Sequence, residues 1–392
     1  MPPIADSPTA EFRLPPVVIY GPGSLSRLGE QARALGIRRA LVVADPGVAA
    51  LPCVDQGRDY LDAAGVPSAL FSGVTIEPLV PDVEAGFAAF RESECDAVVA
   101  IGGGSSIDVG KCVAALARND GPVARFEGPN RIPSRGVPII AVPTTAGTGS
   151  EVTRNSIITD VERDVKMLIA SPWLIPSAAI DDPLLTVSLP PAYTMATGID
   201  ALTHAIEAYV SRRAQPVTDL LALEAIRLIS SSLRQAWANG DDLDARSAMA
   251  RGALLAGMAF TNSSVALVHG MARPIGAHFH LSHGLSNATL LATVMEYSLV
   301  GSPPRFAAIA EAMGERVEGL STMEAARRSV DAVHRLADDV QVPTLRGAGV
   351  DPDRLRELAP KMASDAIASG SPGNNLRRAT ADEIVTLYLK AL

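Results

Sequence analysis

The sequence predicts an α/β N-terminal domain followed by an all-α C-terminal domain. Three observations lead there. Short β-rich runs alternate with helical stretches through the first half, the second half is Ala- and Leu-rich with helical spacing, and a Pro-punctuated link separates the two textures. The chain has 392 residues, enough for two domains of ordinary size.

Residues 39–45 (RALVVAD) form a near-continuous apolar run ending in an acid, the pattern of a buried parallel strand. A helical segment at 81–94 leads into a second run, 96–101 (DAVVAI), which Gly102, Gly103 and Gly104 follow at once. Residues 137–142 (VPIIAV) make a third run, a β-rich stretch covers 155–169, and 178–181 leads into the link at 182–191. Strands separated by helices imply βαβ units and a parallel sheet. Beyond the link, 196–210, 216–238 and 244–260 read as helices, and Pro190 and Pro191 suit a helix start, where a missing N–H costs nothing. These readings place the domains at 1–187 and 188–392.

Hydrophobic residues make up 47% of the chain and charged residues 20%, a globular composition. The net charge of -9 argues against a nucleic-acid partner, although backbone N–H groups can still hold a nucleotide phosphate. The first residues, MPPIADSPTAEFR, have neither a basic nor an apolar signal region, and no apolar run approaches the roughly 20 residues of a membrane span. Cys53, Cys95 and Cys112 are widely spaced and lack a CxxC pair. The expectation is a cytoplasmic protein with buried structural thiols and no membrane partner.

Residues 101–111 read IGGGSSIDVGK, three glycines between a strand and a helix. Such a turn can aim unshielded N–H groups at a phosphate, but it is neither the Rossmann fingerprint nor a Walker A loop, and it could be a plain tight turn. A second loop, VPTTAGTGSEV at 142–152, also follows a strand and offers Thr144, Thr145, Thr148 and Ser150 hydroxyls. Two such loops at the ends of parallel strands suit a dinucleotide. Asp45, closing its strand, could accept from the adenosine ribose or cap the helix that follows.

Histidine is scarce, six in all, yet four fall between His269 and His283. In GIDALTHAIEAY, Asp200 and His204 are four apart on a helical stretch and share a face. Downstream, His269 and His283 flank Pro274 and Gly276, where a break would let them converge from different elements. One carboxylate and three imidazoles without a thiolate suit Fe²⁺, Zn²⁺, Mn²⁺ or Ni²⁺ and argue against a closed structural zinc site. His334, in a charged helical stretch, reads as a surface residue.

From Val18 to the C-terminus the chain resembles the iron-containing alcohol dehydrogenases, through GGGSSIDVGK, PTTAGTGSEVT, GIDALTHAIEAY and HGxxxPxGxxxxxxHGxxNA. The resemblance implies NAD and a divalent metal, Fe²⁺ foremost with Zn²⁺ as the second choice, a small alcohol or aldehyde substrate, and a homodimer formed through N-terminal strands. It implies Asp200, His204, His269 and His283 as metal ligands and Asp45 at the ribose. Gly103, Gly104, Ser105 and Asp108 would lie along the pyrophosphate, and Thr144, Thr145, Thr148 and Lys166 would line the cofactor. Asp108 could instead cap its helix, and Lys166 could be a solvated strand residue. The chain departs from its relatives at Glu77, where an asparagine is usual, and at Arg273, where a second histidine normally follows the third ligand. Arg273 leaves three readings: His278 or His280 relays the proton, Arg273 clamps a substrate anion, or it pairs with a neighbouring acid. A dehydroquinate synthase-like lyase is the runner-up, but it needs a dense set of basic side chains that 188–287 lacks near the motifs. A non-catalytic nucleotide-binding protein is the third possibility.

Overall fold

In the computed structural model, which describes residues 9–163 and 165–392, the apolar runs of the first half are strands. They are β1 (Val18–Tyr20), β2 (Ala40–Val43), β3 (Ser68–Phe71), β4 (Ala97–Gly102), β5 (Gly128–Pro129), β6 (Ile139–Pro143), β7 (Asn155–Asp160), β8 (Val165–Ala170) and β9 (Ala178–Asp181). Between them lie α1 (Leu28–Ala34), α2 (Pro46–Ala49), α3 (Pro52–Ala63), α4 (Val80–Glu92) and α5 (Gly104–Leu116). Six strands pair in the order β1-β9-β6-β4-β2-β3, every pair parallel.

β2, β4 and β6 read as unbroken apolar runs because both faces of the sheet are covered. Val98 and Ala100 of β4 enter a core with Val83 of α4 and Val113 of α5, while Val99 and Ile101 enter another with Leu28 of α1 and Leu61 of α3. The β-rich stretch at 155–169 does not extend this sheet. β7 and β8 form an antiparallel pair, with β5 on the far side of β8, in a three-stranded sheet of their own.

Arg13–Ser188 is one compact unit, and Leu189–Leu392 with the stretch ending at Phe12 is the other. The second is helical: α6 (Pro191–Val210), α7 (Pro216–Ala238), α8 (Leu243–Asn262), α9 (Leu267–Phe279), α10 (His283–Ser298), α11 (Pro303–Ala312), α12 (Thr322–Asp339), α13 (Pro352–Ala368) and α14 (Ala381–Lys390). Every residue from Gly198 to Val210 of α6 is buried, so this helix is the centre of its unit.

Buried arginines fix both ends of α6. Arg246 donates to Gly240 O (2.9 Å), Thr194 Oγ1 (2.8 Å) and Leu189 O (3.1 Å), which ties α8 to the first turn. Arg305 donates to Tyr209 O (2.8 Å) and Asp219 (2.5 Å) and stacks 3.9 Å over the Tyr209 ring, which holds the last turn. Removing one partner of such a buried ion pair costs about 3–5 kcal/mol, so α6 has little freedom to shift.

The expected break at Pro274 and Gly276 is corrected: α9 runs through both residues. Inside a helix, proline removes one hydrogen bond, here the one that would reach Gly270, and the remaining turns outlast that loss. The chain breaks instead at His280, which sits in the left-handed region (φ 57°) and ends α9 just before α10 starts at His283. At its other end α9 bends 102° from α8. Among the described residues no single helix is long and apolar enough to cross a membrane.

Candidate metal centre and nucleotide loops

Asp200, His204 and Glu207 lie at i, i+4 and i+7 on α6, within about 60° of one another around the helix. All three are buried. His269 comes from the first turn of α9 and His283 opens α10. One ligand atom from each of Asp200, His204, His269 and His283 lies within 4.8 Å of all the others. Asp200 is 4.0 Å from His204 Nδ1, 3.7 Å from His269 Nε2 and 3.8 Å from His283 Nε2. These separations are too long for hydrogen bonds and suit donors that face a shared cation. The His204 ring stacks on Phe260 with centroids 4.3 Å apart, which sets its plane.

Two residues that sequence reasoning missed shape this cluster. Glu207 accepts from the N–H groups of Ala266 (2.8 Å) and Val268 (2.6 Å) at the start of α9, and His269 Nδ1 lies 2.6 Å from it. The carboxylate therefore calls for the proton on Nδ1 and leaves the Nε2 lone pair toward Asp200, the usual arrangement of a carboxylate behind a metal-binding imidazole. Asn287, one turn after His283, donates through Nδ2 to Asp200 (2.7 Å), and the same nitrogen lies 3.2 Å from His269 Nε2 and from His283 Nε2. Its Oδ1 is buried without a hydrogen-bond partner. A neutral donor gathered among three prospective ligand atoms stands where positive charge is wanted, and the donor set fits a divalent cation.

Electrostatics agree. Burial alone would raise Asp200, but the three histidines and the Asn287 amide outweigh it and hold its pKa below the ordinary aspartate value. Desolvation, then His204 and His283, push His269 well below its usual range, so its ring is neutral and can ligate. Burial lifts Glu207 to about 7 against the pull of the backbone N–H donors.

In the first unit, Ile101 of β4 pairs with Val142 of β6 and Gly102 with Pro143, so the two loops leave the sheet side by side. Thr144 N–H donates to Gly102 O (3.0 Å). Gly104 sits so close to Thr148 that a Cβ there would come within 2.9 Å of its methyl, and Gly103 is in ordinary contact range of Thr145. Gly103 precedes α5 as its N-cap and supplies no side-chain cap, which leaves the first N–H groups of the helix available to an anion. A cradle of this kind, closed by any larger residue, fits a pyrophosphate. Ser105 Oγ donates to Ile76 O (2.5 Å) beside it.

Asp45 caps α2 by accepting from Val48 N–H (3.0 Å), and Ser106 Oγ reaches its second oxygen at 3.3 Å. Asp108 accepts from Ser150 Oγ (2.6 Å) and Ile157 N–H (2.8 Å), so both its oxygens meet protein and tie α5 to the second loop. Lys166 pairs with Glu77 at 2.7 Å. His278 is nine residues past His269, on the opposite face of α9, and lies 3.9 Å from Asp365. His280 is exposed at the helix end, and neither His278 nor His280 belongs to the cluster. Arg273 donates to Ser371 Oγ at 3.1 Å. His334 is exposed.

Behind the second loop, Lys111 donates to Ser150 Oγ (2.9 Å), Thr153 Oγ1 (3.1 Å) and Asn155 O (2.8 Å), and burial lowers its pKa to about 8. Burial also raises Glu151 to about 7 and, with repulsion from Glu151, Asp181 to about 8.

Comparison with known proteins follows the same division. The model described as iron-containing alcohol dehydrogenase matches residues 15–183, and that described as the C-terminal part of the Fe-containing alcohol dehydrogenase family matches 194–392. The 1,3-propanediol dehydrogenase of Klebsiella pneumoniae is 43% identical over 384 residues, covering 97% of this chain and 98% of its own length. The crystal structure of a 1,3-propanediol oxidoreductase superposes with a TM-score of 0.95 at 42% identity, covering 98% of this chain and 100% of that one. A sulfoacetaldehyde reductase from Bifidobacterium kashiwanohense, solved in complex with NAD+, gives 0.88 at 28% identity and covers 98% of each chain.

Proposed function

The chain belongs to the iron-containing alcohol dehydrogenase family, and on that premise we propose which of its residues carry the reaction. The protein is a metal-dependent alcohol dehydrogenase that moves hydride between NAD(H) and a small alcohol–aldehyde pair. The observation that carries the reading is the convergence of one carboxylate and three imidazoles from α6, α9 and α10. A bound divalent cation supplies Lewis acidity toward the substrate oxygen, and NAD supplies the hydride acceptor.

In this reading Asp200, His204, His269 and His283 hold the metal. Glu207 keeps His269 in the ligating tautomer, and the Asn287 amide steadies Asp200. The uncapped start of α5, with Gly103, Gly104 and Ser105, receives the pyrophosphate. Thr144, Thr145 and Thr148 line the cofactor from the second loop, with Asp108 holding that loop to α5. Asp45 accepts from the adenosine ribose while capping α2, and its charge opposes a 2′-phosphate. Lys166 borders the same cofactor through its pairing with Glu77. The segments 1–187 and 188–392 then serve as the NAD-binding and the metal-binding catalytic domain.

Two coarser features complete the proposal. The three cysteines are free and buried, which fits a reducing cytoplasm. β1 is an edge strand whose Tyr20 is 63% exposed, a surface suited to a homodimer through N-terminal strands. The test is a panel of short alcohols and aldehydes on enzyme reconstituted anaerobically with Fe²⁺, read by NADH absorbance. Turnover that requires both metal and NAD supports the reading, and its absence across the panel sinks it.

A further inference from the structure

Arg273 is four residues past His269 on α9, about 40° around the helix and one turn along, so both project from one face. Its guanidinium is part-buried, and among the described residues its one hydrogen bond is to the buried Ser371 hydroxyl. Among the described residues no carboxylate lies within ion-pair distance of it. Glu207, the acid whose field it feels, is already committed to Ala266, Val268 and His269. Five N–H donors in a rigid fork therefore meet a single neutral oxygen, in a place where desolvation already lowers the guanidinium's hold on its proton. Leaving a charge part-buried and unneutralised is costly unless something else neutralises it.

The charge pattern narrows what that partner is. A divalent cation held by one carboxylate leaves excess positive charge, and Arg273 adds to it on the same face. An arginine cannot cycle a proton as a histidine can, so a relay role is closed to it. His278 faces the other side of α9 toward Asp365 and does not take over that role from beside the cluster. The planar fork does match an oxyanion bidentately, whether carboxylate, sulfonate or phosphate.

We propose that Arg273 binds an anionic group at the far end of the substrate, so that the enzyme's preferred substrates are short aldehydes or alcohols carrying an oxyanion. The proposal rests on the dehydrogenase reading and names its substrate class. Side chains one helical turn apart are separated by roughly 5–6 Å at Cβ, so a spacer of a few carbons connects the reacting carbonyl to the oxyanion. The hydrogen bond to Ser371 restrains the guanidinium and occupies one of its five N–H donors.

The experiment compares succinic semialdehyde, sulfoacetaldehyde and phosphonoacetaldehyde with butyraldehyde, on native, Arg273→Gln and Arg273→Lys enzymes loaded with Fe²⁺. Succinate binding to the same proteins is measured by calorimetry as a readout independent of turnover. In native enzyme at least one anionic aldehyde exceeds butyraldehyde in kcat/KM by roughly ten- to a hundredfold, with KM carrying the difference. The head group with the largest ratio identifies the oxyanion. Arg273→Gln loses that ratio and loses succinate binding, and Arg273→Lys recovers part of both, because a point charge replaces a fork. Equal native activity on anionic and neutral aldehydes, or a ratio unchanged in Arg273→Gln, overturns the proposal while leaving the dehydrogenase intact. No turnover of any aldehyde in native enzyme overturns the dehydrogenase reading itself.

Discussion

Replacing Glu207 with Gln tests whether the carboxylate behind His269 sets metal affinity or only ends a helix. Glutamine keeps the size but offers one acceptor oxygen where the carboxylate offers two. Glu207 now receives N–H groups of Ala266 and Val268 at 2.8 and 2.6 Å and the His269 ring at 2.6 Å. At least one of these donors would then face an NH₂ group. A buried donor left unsatisfied costs about 1–3 kcal/mol, more where the bond was charge-assisted. Part of that loss falls on the start of α9 and appears as a lower Tm with and without metal. The remainder falls on the His269 tautomer, because the amide no longer requires the proton on Nδ1. Outer partners of this kind are worth about 10- to 100-fold in metal affinity. The assay is competition for Fe²⁺ or Co²⁺ with a chromophoric chelator, alongside thermal melts of metal-free and loaded protein. A lower Tm with native metal affinity would refute the reasoning and reduce Glu207 to a helix cap.

Asn287→Ala should weaken metal binding about tenfold by freeing Asp200, while Ser286→Ala, a buried neighbour whose hydroxyl bonds only its own helix, should not. Chelator competition on the pair decides it, and equal affinities would dismiss the amide. Asp45→Ser keeps an oxygen to cap α2 but removes the charge, so the NAD-over-NADP ratio of kcat/KM should fall by an order of magnitude or so without a large loss of Tm. An unchanged ratio would leave Asp45 a cap alone. Asp181 is raised to about 8, so between the ordinary aspartate range and that value the folded chain holds a proton that the unfolded chain has lost. Its contribution is therefore lost as pH rises through that window. The Tm advantage of Asp181→Asn over the native protein should grow from pH 5 to pH 9, and a constant difference would contradict the burial argument.

The parallel sheet was legible where both of its faces are covered, because β2, β4 and β6 are unbroken apolar runs. β1 and β3 escaped notice: they are edge strands of three and four residues with half-buried patterns, too short to stand out from the surrounding sequence. Proline misled the reading of α9, since its local preference to end a helix lost to the packing of the turns around it. Asp200 and His204 announce themselves by helical spacing and rare residue type. Glu207 and Asn287 extend the same i+3 and i+4 spacings from His204 and His283, but a lone Glu or Asn carries no chemical signature in sequence. Their roles come from what they touch. Asp108 drew attention by its position beside the glycines, but its hydrogen bonds to Ser150 and Ile157, distant in sequence, were not legible there.

The account turns on whether the four converging side chains hold the metal, and iron content measures that most directly. Native enzyme, Asp200→Ala and His204→Ala would be reconstituted anaerobically with Fe²⁺, desalted, and analysed for iron, with circular dichroism and NAD titration on the same samples. The account predicts stoichiometric iron in the native protein and little in either variant, with helical content and NAD affinity close to native because the glycine loops lie in the other unit. Stoichiometric iron retained by His204→Ala would contradict it.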